Sequence, residues 1–266
     1  MEKLLAIEFI KLKKLTALKV IFIIYMFMIP LIMYVLSGFY SNFIHPFIPI
    51  IKNIWGFPFI WQFTTYSASF FNILMGIIVV IVVCNEYNYK TFKQNIIDGL
   101  SMQQVILGKF LVVVFLSTLV TVYTALTAIV FGVINSETNL FFEGSYFILL
   151  YFLQTLCYFS FAFFFAVLIK RTALSIILFI VSFIAEMILG SIVSLTASKE
   201  AYLYFPLNVF SKLTPNPLMD ELNKLSLQQT GQVEPQIELW TTLLLSLTYM
   251  VLFFLFAYII VRRRDL

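Results

Sequence analysis

Long apolar runs, separated by short polar stretches, dominate the hydrophobic pattern of the chain. Six runs are long enough for membrane-spanning helices, because about 20 helical residues cross a hydrocarbon core of about 30 Å. The predicted spans cover residues 20–40, 62–84, 110–134, 144–169, 172–196 and 239–261. The pattern therefore predicts an all-α integral membrane protein with a single transmembrane domain over residues 1–266.

Composition agrees with this class. The chain is 62% hydrophobic and 11% charged, whereas soluble domains carry about 25% charged and about 45–50% apolar residues. Cys84 and Cys157 lie at or within apolar runs without metal-ligand spacing, so we interpret them as small packing residues. The only histidine, His45, directly precedes Pro46 in a loop. We therefore expect no metal site.

The first 19 residues predict an interfacial amphipathic helix ahead of the first span. Its apolar positions recur at helical spacing: Leu5, Phe9, Leu12 and Leu15. Its cations are Lys3, Lys11, Lys13, Lys14 and Lys19. Such a helix is suited to lying in the membrane interface beside anionic lipid. A second interpretation is a basic flank that fixes orientation, and the two are compatible.

The polar stretch between the second and third spans, residues 85–109, carries two helix-start signals. Thr91 is followed three residues later by Gln94, and Ser101 by Gln104. This spacing is typical of a capping box, in which a hydroxyl and an amide satisfy the free backbone amides of a helix start. The pattern predicts one helix before the third span and another that leads into it.

The end of the first of these helices is also predicted. Asp98-Gly99 is a stop signal, because glycine readily takes the left-handed conformation that closes a helix. We expect a short helix over residues 92–98, lying on the membrane surface, followed by a tight turn. The alternative is a solvated connection between two spans.

The short helix carries apolar residues that have no reason to face water. They are Phe92, Ile96 and Ile97, and either a partner surface or the protein's own span ends must cover them. Three charged residues would form a polar rim around them: Glu86, Lys90 and Lys93. Charges at the rim of an interface steer association more than they strengthen it.

One carboxylate, Glu186, lies well inside a predicted span. A charge at the centre of a membrane helix costs roughly 2.5–3.5 kcal/mol on insertion scales. We interpret Glu186 either as a residue of a transport pathway or as a packing residue that bonds polar groups of a neighbouring helix. Ser182 or Ser191 of its own helix could also serve as the partner.

Lysine and arginine counts predict the orientation. The N-terminus, the 85–109 stretch, the turn at residues 170–171 and the C-terminal tail hold 13 of these residues, whereas the opposite loops hold 4. The positive-inside rule then places both termini in the cytoplasm. The longest polar segment, residues 197–238, is external, and we expect it to be partly helical.

No motif for ATP hydrolysis is recognisable, so we expect that this chain is not an enzyme. Gly108-Lys109 is followed by Phe110 where a phosphate-binding loop needs serine or threonine. The earlier glycine of that loop is also replaced, by Gln103. A phosphate cradle therefore cannot form there.

In sequence order, several features resemble the permease of a bacterial type-2 ABC exporter, the six-span half-transporter that pairs with a separate ATPase. Residues 86–91, E-Y-N-Y-K-T, are similar to the family's acidic-residue-then-Thr pattern, and Lys109 matches the lysine that usually opens the third span. The amphipathic start, the enlarged external segment and the terminal residues 263–266 also fit. The family commonly has a proline and an arginine where this chain has Leu100 and residues 102–103.

The resemblance implies that residues 85–104 form a cytoplasmic coupling helix that fits a groove of an ABC ATPase subunit. The implied ATPase-coupling residues are Glu86, Lys90, Thr91, Phe92, Lys93, Ile96, Ile97 and Gly99. ATP and Mg²⁺ would be bound by that partner, and this chain would hold no cofactor. A second permease copy or a homologous permease would complete the translocation pathway.

The implied location is the bacterial plasma (inner) membrane, with multiple passes. Membrane lipid is an expected partner and nucleic acid is not. Two alternatives remain from the residues alone: an ion-coupled secondary transporter that uses Glu186, and a non-transporting scaffold or assembly protein. Paired repeats and broken helices, which are common in secondary transporters, are not evident in the sequence.

Overall fold

The computed structural model describes residues 2–39, 42, 55–89, 91–97, 99–135, 140–196, 199–217 and 237–264, with the backbone alone at residues 2–7, 37, 92, 93, 199 and 264. Its helices are α1 (Glu2–Lys14), α2 (Thr16–Phe39), α3 (Phe59–Ser69), α4 (Asn72–Asn88), α5 (Thr91–Ile97), α6 (Met102–Asn135), α7 (Tyr146–Ile169), α8 (Thr172–Thr196), α9 (Lys199–Leu203), α10 (Pro206–Ser211) and α11 (Leu239–Arg264). No strand occurs among these residues.

Five helices, α2, α6, α7, α8 and α11, are long and apolar enough to cross a membrane. The consecutive helices α3 and α4 together provide a sixth candidate span, bent by 50° at the break between them. The predicted class, an all-α integral membrane protein, is confirmed. The segment before α11 is partly helical, as expected, through α9 and α10, whereas residues 218–236 lie outside the described part.

The second span differs from the sequence prediction because it is bent. Hydroxyl groups near the end of α3 donate to backbone carbonyls of their own helix. The Ser67 Oγ donates to the Phe63 carbonyl at 2.7 Å, and the Ser69 Oγ donates to the Tyr66 carbonyl at 2.7 Å. Hydroxyls that bond the preceding turn compete with the helical hydrogen bonds and commonly accompany bends.

The third span begins earlier than predicted. α6 starts at Met102, eight residues before the predicted start of the span, and it has 34 residues. At about 1.5 Å per residue it is about 51 Å long, which exceeds a hydrocarbon core of about 30 Å. α6 is therefore longer than the hydrocarbon core requires, and Lys109 lies near its start.

The core is built around α7, which packs against α3, α4, α6, α8, α10 and α11. Its large side chains Tyr151, Phe159 and Phe163 are almost fully buried. Gly76 of α4 allows the ring of Phe179 in α8 to approach so closely that a Cβ at Gly76 would lie 2.6 Å from a ring carbon. By contrast, only a small share of the residues in the apolar stretches of α2, α8 and α11 is buried inside the protein.

A chain of buried polar groups crosses this core. The hydroxyls of Tyr25 and Tyr151 lie 3.0 Å apart, and the Tyr151 hydroxyl donates to the Asn72 Oδ1 at 3.3 Å. The Asn72 Nδ2 donates to the Gln154 Oε1 at 3.4 Å, and the Gln154 Nε2 donates to the Phe210 carbonyl at 2.9 Å. The chain therefore ties α2, α4 and α7 to α10.

Candidate functional site

The short helix predicted between the second and third spans is α5, and it ends where the sequence indicates. Gly99 has a φ of +94°, in the left-handed region. The Gly99 N–H donates to the Ile96 carbonyl at 3.1 Å, and the Leu100 N–H donates to the Asn95 carbonyl at 3.0 Å. This pair of bonds is a Schellman motif, which satisfies the last carbonyls of a helix. The predicted stop signal is confirmed.

The start of α6 also agrees with the prediction. The Ser101 N–H donates to the Gln104 Oε1 at 2.9 Å, and the Gln104 N–H donates to the Ser101 Oγ at 3.3 Å. These reciprocal bonds are a capping box. Thr91 behaves differently, since α5 begins at Thr91 itself and its hydroxyl donates to the Glu86 carbonyl at 3.5 Å. As a result, α5 is held by hydrogen bonds at both ends.

Four ionisable side chains from α1, α4 and α6 meet beside α5, and we call them the charge cluster: Glu8, Lys11, Glu86 and Lys109. The Glu86 Oε1 lies 2.6 Å from both the Lys11 Nζ and the Lys109 Nζ. Glu8 pairs with the same two lysines. Glu8, Glu86 and Lys109 are each at most 4% exposed. The cluster is therefore a buried network that bridges three helices.

The cluster is electrically balanced. Buried ions are tolerated only when they are paired and hydrogen-bonded, and here two carboxylates face two ammonium groups. Partial burial acts to lower the pKa of Lys11, but its hydrogen bond and charge interaction with Glu86, together with Glu8, outweigh burial and raise that pKa. Lys11 consequently carries its charge at neutral pH.

The structure overturns one predicted role and reveals residues that the sequence reasoning missed. The predicted rim position of Glu86 is wrong, because its carboxylate is buried between two lysines. Glu8 and Lys11 were not predicted as site residues, and Lys109 was noted only for its family position. The sequence signal that could have identified Lys109 is its position in an otherwise apolar segment. A lysine buried there requires an acidic partner.

The apolar residues of α5 divide into two groups. Ile96 is partly buried and packs on the protein's own core, whereas Ile97 is 77% exposed. Tyr89, just before α5, is 76% exposed. Phe92 and Lys93 belong to α5, and only their backbone is described.

Lys90 and Asp98 lie outside the described residues, so their predicted positions stay predictions. Among the described side chains at α5, Ile97 and Tyr89 expose apolar and aromatic surface, and Gln94 is exposed as well.

Glu186 contacts the segment between α8 and α11. Its Oε1 accepts a hydrogen bond of 2.8 Å from the backbone N–H of Asn208, in the first turn of α10. The serines considered as partners bond carbonyls of α8, Ser182 that of Phe179 and Ser191 that of Met187. Glu186 therefore connects a span to α10, and its role in a transport pathway stays a prediction. The described residues contain no group of acidic, histidine or cysteine side chains that could hold a metal.

Removal of Lys109 alone is expected to destabilise the protein, because Glu8 and Glu86 would then share the single cation of Lys11. Breaking a buried ion pair from one side costs about 3–5 kcal/mol. We expect Lys109→Met to lower the midpoint of thermal unfolding in detergent by roughly 5–15 °C.

Two further variants control this experiment. Lys13→Met, which removes an exposed lysine from α1, should leave the midpoint nearly unchanged. The double variant Glu86→Gln with Lys109→Met removes one charge of each sign and should recover most of the loss. A single Lys109 variant as stable as the Lys13 variant would show that the cluster does not stabilise the fold.

Comparison with known proteins places this arrangement in a family. A family model described as "ABC-2 family transporter protein" matches residues 4–186, a range that includes most of α1, the whole charge cluster and α5. Comparisons with curated proteins and with solved structures give no match. Since the family match covers well over half of the 266 residues, the chain belongs to the ABC-2 transporter family and is the membrane permease of an ABC transporter.

Proposed function

We propose that this permease forms the translocation pathway of an ATP-driven exporter, as a dimer with a second copy or with a homologous permease. A separate ATPase subunit binds ATP and Mg²⁺ and drives the cycle. The observation that carries the proposal is α5, a short helix that is closed by the turn at Gly99 and presents the exposed side chain of Ile97 beside a buried charge cluster. Family membership favours this function over the ion-coupled and non-transporting alternatives.

In this proposal α5 is the helix on which the ATPase acts. A rigid helix transmits a displacement that a slack loop would absorb, and the turn at Gly99 and the capping box at Ser101 leave little slack between α5 and α6. On the other side, only Tyr89 and Lys90 separate α5 from the end of α4. A push on α5 therefore reaches both spans directly.

The charge cluster makes α1, α4 and α6 move together at the end of the bundle that adjoins α5. Separating α4 from α6 would part Glu86 from Lys109, and a buried charge without its partner costs about 3–5 kcal/mol. Lys11 extends the same constraint to α1 through its contact with Glu86. A displacement of α5 is then converted into a joint movement of α1, α4 and α6.

The distribution of cations supports an orientation in which the ATPase can reach α5. The side of the membrane that carries 13 of the 17 lysines and arginines includes α5 and both termini. The positive-inside rule makes this the cytoplasmic side of a bacterial plasma membrane, where ATP is available. Glu186 and α10 then lie towards the opposite side, and we retain Glu186 as a candidate pathway residue.

Truncation of Ile97 tests the docking role of α5. Burying an isoleucine side chain contributes about 1.5–3 kcal/mol, so Ile97→Ala should weaken ATPase binding about tenfold. The measurement is the affinity of the purified ATPase for the permease in nanodiscs. Ile134→Ala is the matched control, because Ile134 is 73% exposed at the far end of α6. Equal affinities of the two variants would refute docking through Ile97.

Substitution of Gly99 tests whether the turn must be rigid. A Cβ at Gly99 meets no atom within 4 Å, so the effect comes from the positive φ alone. Valine there should cost about 1–2 kcal/mol in backbone strain, whereas asparagine tolerates this conformation. We expect Gly99→Val, and not Gly99→Asn, to reduce stimulation of ATPase activity by the permease in proteoliposomes. Identical stimulation in both variants would exclude a role for this turn.

Cysteine labelling tests the orientation. Ser211 of α10 and Gln94 of α5 are both exposed, and the native thiols of Cys84 and Cys157 are buried. An impermeant thiol reagent should label Ser211→Cys in intact cells and Gln94→Cys only after permeabilisation. The reverse pattern would contradict the proposed topology.

A further inference from the structure

A cavity of about 280 Å³ opens beside the charge cluster, between α1, the end of α4 and the start of α6. Its lining combines charged side chains with apolar ones contributed by Leu12, Leu15 and Val82. A much smaller cavity nearby, of about 10 Å³, also borders Glu86 and Lys109. That smaller space is about the size that one water needs, about 10–15 Å³. The larger cavity has room for a ligand group of several non-hydrogen atoms.

Two polar groups of the lining lack a partner among the described residues. Lys14 borders the cavity and forms no ion pair with any described residue. The Oε2 atom of Glu86 is buried and accepts no hydrogen bond, while the Oε1 atom of the same carboxylate receives two lysines. A ligand that satisfies both groups carries an anionic oxygen for Lys14 and a hydrogen-bond donor for Glu86.

The charge of the lining favours an anion. Three lysines, Lys11, Lys14 and Lys109, face two carboxylates, Glu8 and Glu86, so one positive charge is unbalanced. A ligand with a single net negative charge neutralises the lining, whereas a zwitterionic ligand leaves the charge in place.

The apolar lining and the surroundings favour a lipid over a soluble anion. Leu12 of α1, Leu15 directly after α1, and Val82 of α4 give the cavity an apolar side that a small anion would not use. On the surface of α1, Phe9 and Ile10 are 46% and 57% exposed, as expected for a helix that lies among lipids. The cavity therefore adjoins the level at which headgroups meet acyl chains.

We propose that this cavity binds the headgroup of an anionic glycerophospholipid whose headgroup carries hydroxyls, of the phosphatidylglycerol type. The phosphate diester pairs with Lys14, and a headgroup hydroxyl donates to the Glu86 Oε2. The glycerol backbone and the first methylenes of the chains lie against Leu12, Leu15 and Val82. The site holds α1 at the membrane surface, and its existence does not depend on the proposed export function.

Native mass spectrometry of the purified full-length permease tests the site. The protein is titrated with phosphatidylglycerol, phosphatidylethanolamine or phosphatidylcholine of identical chains, and separately with free glycerol phosphate. We expect phosphatidylglycerol to be retained about tenfold more strongly than the other two. Their headgroups carry a cationic nitrogen, which adds a second positive charge to a lining that already has one in excess. Lys14→Gln should remove the preference. Lys13→Gln, a neighbouring exposed lysine outside the lining, should keep it.

Four outcomes would overturn the proposal. They are equal retention of the three lipids, a preference for phosphatidylethanolamine, equal losses in the Lys14 and Lys13 variants, and binding of free glycerol phosphate in place of lipid. Equal losses in the Lys14 and Lys13 variants would indicate a general attraction to the basic surface of α1. Binding of free glycerol phosphate would indicate a soluble ligand. Thermal unfolding without added lipid separates misfolding from loss of the site, because Lys14 is exposed and its substitution should leave the midpoint unchanged.

Discussion

Two carboxylates and the Lys109 ammonium group are buried together in the charge cluster, and Lys11 beside them is half-buried. The end of the bundle around α5 depends on the mutual neutralisation of these four groups. Each of Lys11 and Lys109 contacts both Glu8 and Glu86, so removing one lysine leaves two carboxylates to share the other. Buried ion pairs add little net stability over a well-packed apolar cluster, but they penalise partial separation heavily. They therefore fix the relative positions of α1, α4 and α6 more than they strengthen the fold.

The neutral polar chain through the core differs from the ionic cluster in kind. Its members, such as Tyr151, Asn72 and Gln154, exchange hydrogen bonds between uncharged groups. Leaving one such buried group unsatisfied costs about 1–3 kcal/mol, less than the cost of isolating a buried ion. Rearrangement is thus cheaper along this chain, which reaches α10 through the Phe210 carbonyl, than at the α5 end. The bundle combines a stiff end with a more adjustable interior.

The sequence predicted the spans and the turn after α5 because their signals lie within a few neighbouring residues. Gly99 and Ser101 act on the backbone next to them, and six long apolar runs need no knowledge of packing. The charge cluster could not be predicted in the same way, since Glu8 meets Lys109 across 101 positions of the chain. The contact of Glu186 with α10 depends on how the segment between α8 and α11 packs against the bundle. Such contacts follow from the packing of the whole chain.

The order of synthesis gives the charge cluster a consequence for membrane insertion. Glu8 and Lys11 leave the ribosome first and can pair with each other, as residues three apart on one helix do. Glu86 then adds a second negative charge, which stays in excess until Lys109 arrives at the start of the third span. The charges between α1, α4 and α6 are therefore balanced, and the docking of α1 is completed, only when α6 enters the membrane. Completion of the charge cluster during biogenesis therefore depends on insertion of the third span, which supplies the buried Lys109.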